Sequence, residues 1–215
     1  MTDMDIPRLV ETRTALHQLA EHVIAPLRVQ ETGNEIALTI IAGGFATPPL
    51  PAGGRVGVRG TSVLRADPDG TEHLAPIRTL GEAADHVGLR TLPVPDRELA
   101  VDPDAAALVH AAHAVGAGAL TRLRAIATDD DDVSEVVLWP EHFDVAIELG
   151  PADRRATYGV SPGDENHPRP YAYVATWNAP PSGDMWNAVG FTGAQTEDLD
   201  EDALLAFWSA VRAAL

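Results

Sequence analysis

The stretch Val133-Ser-Glu-Val-Val-Leu-Trp-Pro140-Glu-His-Phe-Asp-Val-Ala-Ile-Glu-Leu-Gly150 decides the fold class. Before it the chain reads mainly as helices and one hairpin; from it onward the texture is short strands. Across His142–Leu149, the residues Phe143, Val145, Ile147 and Leu149 alternate with His142, Asp144, Ala146 and Glu148, which is the period of a strand with one buried face. Val136–Trp139, Arg155–Val160, Tyr171–Trp177 and Trp186–Phe191 read as further strands. They are separated by Pro140, Gly150-Pro151, a Pro/Gly loop and Pro180-Pro-Ser-Gly183. Short strands at such spacing predict an antiparallel meander.

Upstream, residues 5–28 read as a helix: Asp5 can cap it, Pro7 is tolerated in its first turn, and Leu9, Leu16, Ala20, Val23 and Leu27 recur at helical spacing. Gly33-Asn34 ends it and Glu35–Ile41 alternates as a strand. Gly43–Gly54 reads as irregular because of its prolines and glycines. Arg55–Asp67 and Thr71–Ile77 predict a hairpin closed by Pro68-Asp-Gly70, with a short helix over 79–88 and a proline-containing linker over 91–103. Asp102 caps a long helix, 103–126, whose Leu108, Val109, Ala112, Val115, Ala119 and Leu123 form an apolar stripe; His110 and His113 share a face on it. Asp129–Asp132 opposes the dipole of that helix and reads as a solvated loop. A last helix, 200–214, buries Leu204, Phe207, Trp208 and Val211. The expected fold is α+β, with the three main helices 5–28, 103–126 and 200–214 packed on antiparallel sheet. One domain over 1–215 is expected, with a helix and hairpin half (1–128) and an aromatic-rich sheet half (133–215).

Composition narrows the chemistry. The 215 residues carry 32 acidic and 15 basic side chains, a formal charge of −17, and every basic residue is arginine. The chain has no lysine and no cysteine, so Schiff-base, phosphate-loop-lysine, thiol and thiolate-zinc chemistry are excluded. The acidic field disfavours nucleic acid and anionic lipid as partners. The N-terminal segment has no apolar core of a secretory signal, and the longest apolar stretch is about half the ~20 residues that a spanning helix needs. The expectation is a cytoplasmic protein, and the arginine-, alanine- and proline-rich usage suits a high-GC bacterial genome.

Of eleven aromatic residues only Phe45 precedes Trp139. The other ten either build the larger core or line a cleft. Tyr171, Tyr173 and Trp177 share one strand parity, and with Trp139 they are the candidate binding residues. His142 and Asp144 stand two apart on one strand face, about 6–7 Å at the Cα level, and are the candidate catalytic pair. Asp164 and His167 in the loop Ser161–Pro170 are the candidate metal ligands, although they match no specific spacing. No metal is expected to be needed for folding and no cofactor is implied. No serine elbow or dinucleotide-binding turn is present. If Asp144 is covered it needs a partner, and without lysine that partner must be an arginine, a charged histidine, backbone N–H groups or an ion. The expectation is a structural, paired carboxylate whose Asn variant loses about 1–3 kcal/mol.

Taken in order, several segments resemble a bacterial family of unknown function numbered 5996: Thr12-Arg-Thr-Ala-Leu-His17, Gly44-Phe-Ala-Thr-Pro-Pro-Leu-Pro51, the hairpin ending Asp67-Pro-Asp-Gly70 with the helix to Gly88-Leu89, Trp139 with Phe143-Asp-Val-Ala146, and Tyr171-Ala-Tyr173. The chain is shorter than that family, lacks its aromatic-and-histidine run before the first strand, and has Asp164–His167 where the family is glycine-rich. The resemblance implies no mechanism, since the family has no established activity. It marks His17, Thr47, Asp144, Tyr171 and Tyr173 as matching positions. Two functional readings follow. One is an acidic binding or interaction domain whose aromatic face meets a small molecule or a protein; the other is a metal-assisted or His/Asp general-base hydrolase. The sequence leaves open whether the protein is an enzyme.

Overall fold

The computed structural model describes residues 5–180 and 182–215; the polar start of the N-terminal segment, residues 1–4, and Pro181 of the 180–183 turn lie outside them. The chain divides into two compact units, one running to Ala111 together with Leu138–Phe143, the other comprising Ala112–Val137 and Asp144–Leu215. The division therefore falls inside the long helix rather than at the change of texture near residue 130. Both units are antiparallel in their sheets, so the fold is α+β. No helix among the described residues is long and apolar enough to cross a membrane.

In the first unit the opening helix is longer than expected and interrupted: α1 is Ile6–Leu19, a π turn covers Ala20–Ile24, and α2 is Ala25–Thr32. Pro26 explains the interruption. It has no N–H for the residue four back, and just before it the backbone widens so that Ala25 N–H reaches Ala20 O, five back. Asp5 occupies the N-cap position with extended backbone, but its carboxylate caps nothing; its carbonyl receives Leu9 N–H at 3.0 Å. Leu9, Leu16, Ala20, Val23 and Leu27 are all buried.

Five strands follow in sequence order: β1 Thr39–Ile41, β2 Gly44–Ala46, β3 Arg55–Arg59, β4 Ser62–Ala66 and β5 Glu72–Pro76. The strand expected from Glu35 is thus confined to its end, with Leu38 adding a bridge to Leu138. The segment expected to be irregular contains β2. Gly44 is there because the next strand comes close: a Cβ on it would lie 1.9 Å from Val58 O. The expected hairpin is three strands, since Gly60, at φ 56°, turns the chain between β3 and β4. α3, Leu80–Val87, starts on Thr79, whose hydroxyl accepts Glu82 N–H at 3.1 Å. α4, Pro103–Ala125, starts on Asp102, whose carboxylate accepts the amides of Asp104 and Ala105. His110 is buried with Nε2 3.1 Å from Gly60 O, and burial lowers its pKa, so it is neutral.

In the second unit, β7 Asp144–Leu149, β8 Ala156–Ser161, β9 Tyr171–Thr176 and β10 Gly193–Thr196 pair in turn. A short strand, β6 Val137–Trp139, straddles the division. Trp186–Phe191 is not a strand. Instead the Asn187 side chain imitates one, donating to Gln195 O and accepting Gln195 N–H at 2.8 Å, which blocks the outer edge of β10. Val145, Ile147, Tyr158, Val160 and Val174 are buried on one sheet face. α4 lies close on that face: a Cβ on Gly116 would sit 2.7 Å from Val160 and 2.8 Å from Val145. α5, Glu201–Ala214, is capped by Asp200, buries Leu204, Trp208 and Val211, and leaves Phe207 only half-buried.

The acidic run 129–132 is not simply solvated. Asp129–Asp131 forms a single 3-10 turn in which Asp131 is 4% exposed. Its carboxylate accepts Thr128 N–H at 2.6 Å and the Thr128 hydroxyl at 2.9 Å, and Arg212 Nη2 lies 2.6 Å from both oxygens. Burial pushes its pKa up, but the Thr128 donors and Arg212 outweigh burial and hold it below the usual 3.8. A lowered carboxylate contributes stability above its unfolded pKa that is lost as pH falls through the folded value. Arg212→Met is therefore expected to cost about 2–4 kcal/mol at pH 7. In urea unfolding at pH 7 and pH 3, that cost should shrink at the lower pH.

Candidate functional site

The register of the second sheet sets Ala146 opposite Gly159, Gly159 opposite Tyr173, and Ser161 opposite Tyr171. Side chains alternate along a strand, so Asp144, Ser161, Tyr171 and Tyr173 share the face opposite the one that α4 packs on. Gly159 makes this arrangement possible. A Cβ there would lie 2.6 Å from the Tyr173 ring, so the ring crosses β8 over a bare backbone and its hydroxyl donates to Asp144 on β7. Asp144, Tyr171, Tyr173 and Ser161 are 6%, 5%, 8% and 6% exposed.

The loop after β8 adds a second carboxylate. Tyr171 donates to Asp164 Oδ2 at 2.6 Å. The other oxygen of Asp164 accepts the amides of Asn166 and His167 at 2.7 and 2.8 Å, and Asp164 N–H returns to His167 O. These bonds fold residues 164–167 into a turn. The rings then follow one another: His167 stands edge-on to Tyr171 at 4.9 Å, Tyr171 lies 6.2 Å from Tyr173, and Phe191 meets Tyr173 edge-on at 5.7 Å. His167 Nε2 is 3.2 Å from Glu197 Oε1, an ion-pair distance.

Burial, then the neighbouring carboxylates, raise the pKa of both phenols: Tyr173 through Asp144 and Tyr171 through Asp164. At neutral pH both are hydrogen-bond donors, not nucleophiles or bases. Asp164 spends its oxygens on a phenol and two amides, which is a turn rather than an open cation cage. Among the described residues no group of three His, Asp or Glu side chains is placed to hold a metal ion.

The structure brings Asp144, Tyr171, Tyr173, Asp164 and His167 together and leaves the other candidates elsewhere. His142 is exposed in the turn 140–143, so it does not share a strand face with Asp144. Phe143 adopts φ 54° and donates its N–H to Trp139 O, which interrupts the alternation that placed His142. Phe143 is buried as expected, though by a turn: in the first unit it stacks on His17 at 5.3 Å and meets Phe45 edge-on. Burial lowers the His17 pKa against the opposing pull of Glu21. Trp139 is half-buried in β6, within the first unit. Trp177 is 56% exposed, with Arg155 5.2 Å over its ring and its Nε1 3.3 Å from the Thr157 hydroxyl. Thr47, fully buried, accepts Val56 N–H with its hydroxyl.

Tyr173 as a partner of Asp144 was missed by sequence reasoning, which weighed arginine, histidine, amides and ions but not a phenol. Phe191, Ser161 and Gly159 were missed too. Gly159 carried a signal, because a glycine inside a strand marks a close approach.

Asp144→Asn and Tyr173→Phe are each expected to lower stability in urea by about 1–3 kcal/mol. Because they share one bond, the double variant should lose less than the sum. All three tyrosines of the chain have raised pKa values, Tyr158 to about 12. A raised group stabilises the fold below its unfolded pKa of about 10, and that stability is lost as pH rises towards the folded value. Absorbance titration should therefore show no phenolate near pH 10, and its appearance at higher pH should coincide with loss of the native circular-dichroism signal.

No family model, no curated protein and no solved structure matches the chain.

Proposed function

We propose that the second unit is a ligand-binding module whose recognition face is Asp144, Tyr171 and Tyr173, together with Asp164 on the loop 161–170, which opens for entry and closes with Asp164 on the ligand. The single observation that carries the reading is the Asp144 carboxylate, 6% exposed on a strand and reached by a tyrosine that crosses a glycine to meet it. Strands disfavour aspartate, and the opposite sheet face already supplies an apolar core. Two carboxylates beside a run of aromatic rings suit a ligand with a cationic or hydrogen-donating head and a flat apolar body. The likeness to the family numbered 5996 supports the same place, since three of its five matching positions, Asp144, Tyr171 and Tyr173, belong to the cluster. The exposed turn position of His142 gives the hydrolase reading no support. The acidic charge of −17 favours a partner other than nucleic acid, and we place the protein in a bacterial cytoplasm.

A thermal-shift panel of amines, amino acids, nucleosides and sugars tests this reading. At about 100 times Kd a ligand adds about 2.7 kcal/mol, or roughly 5–10 °C in a chain of this size. One class should raise Tm by that amount, and Tyr171→Phe, which leaves the Tyr173–Asp144 bond in place, should weaken the shift. A panel with no active class, or a shift unchanged in Tyr171→Phe, overturns the proposal.

A further inference from the structure

Away from the tyrosine cluster, the second unit has a cleft of about 280 Å³ lined by Asp131, Gly150, Arg154, Ser209 and Arg212, among others. We propose that this cleft binds the phosphoryl group of a small ligand. Its two arginines differ from most others in the chain in what they leave unspent. Arg212 holds both Asp131 oxygens through Nη2 alone, so Nε and Nη1 of its five-donor fork remain for another anion. Its guanidinium is also fixed in place by that pair, which lowers the ordering cost of a second contact. Arg154 is exposed and its guanidinium meets no carboxylate among the described residues. Its chain neighbour Arg155, by contrast, is committed to Asp132 at 2.8 Å and Glu148 at 2.9 Å. The Ser209 hydroxyl makes no hydrogen bond among the described residues, and it supplies a third donor at the same cleft.

Asp131 does not turn the cleft into a cation site. Its Oδ2 already accepts the Thr128 amide, the Thr128 hydroxyl and Arg212, and its Oδ1 accepts Arg212, so its charge is already matched. Donors from two separate arginines and a hydroxyl suit a tetrahedral oxyanion better than a planar carboxylate, which one guanidinium fork satisfies by itself. The field of a chain at −17 repels a phosphate polymer, so the fitting ligand is small. Asp131 and the negative end of α5 both subtract from the local charge, so binding is weak and falls with ionic strength.

The test uses the full chain, labelled with ¹⁵N and titrated with pyrophosphate at low ionic strength. Saturable shifts are expected at the amides of Gly150, Arg154 and Ser209. Arg154→Ala should weaken binding at least about tenfold, the loss of one charge-assisted contact. Arg90→Ala removes an exposed arginine from the first unit and should change nothing. Succinate should bind more weakly than pyrophosphate. The proposal is overturned if the shifts do not saturate, if Arg90→Ala weakens binding as much as Arg154→Ala, or if succinate binds as well as pyrophosphate.

Discussion

Within the second unit, helices pack on one sheet face, yet Asp144, Tyr171 and Tyr173 on the other face are nearly as buried as the apolar residues beneath α4. That burial is the constraint on which the arrangement depends. Polar groups removed from water must satisfy one another, or each costs several kcal/mol. Two phenol–carboxylate bonds, Tyr173 to Asp144 and Tyr171 to Asp164, meet part of that requirement. The first of them needs Gly159, because any side chain at that register would occupy the path of the Tyr173 ring. The Tyr173 backbone is held as well, since Trp208 Nε1 donates to its carbonyl at 3.2 Å. One residue thereby ties the α5 side of the sheet to the polar side.

The same accounting governs the charges. A chain with 32 acids has only arginine as its strong base. Buried Asp131 is matched by Arg212 and by the Thr128 turn. Arg155 gathers Asp132 and Glu148 while its guanidinium lies over the Trp177 ring. A planar fork can do both at once, whereas an ammonium group is a point charge that cannot stack. Many of the remaining pairs, such as Arg78–Glu82 and Arg8–Asp102, are largely exposed and contribute little to stability.

The tyrosine cluster and the arginine cleft differ in physical character. The first is desolvated and already holds two phenol–carboxylate bonds, so a ligand there must compete with them and move a loop. The second is open and keeps donors in reserve. A ligand there competes mainly with water and salt, and its binding is correspondingly sensitive to ionic strength.

Periodicity alone determined much of this protein. The three main helices, strands β7, β8 and β9 and the shared parity of Tyr171 and Tyr173 follow from apolar spacing, because helix and strand periods are local properties of the backbone. The end of α3 at Gly88 and the capping of α4 by Asp102 were legible too, from residue types that act locally. What tertiary structure decided lies where one segment constrains another. The positive φ of Phe143 separates His142 from Asp144, and β10 sits beyond Trp186–Phe191 because Asn187 takes the place of a strand along its edge. Asp131 is buried because Arg212, 81 residues later, comes back to it. Asp144 meets the phenol of a residue 29 positions away, a partner its charge did not call for. Sequence spacing carries no record of such long-range pairings, since which donor satisfies a buried acceptor is settled only when the strands take their register.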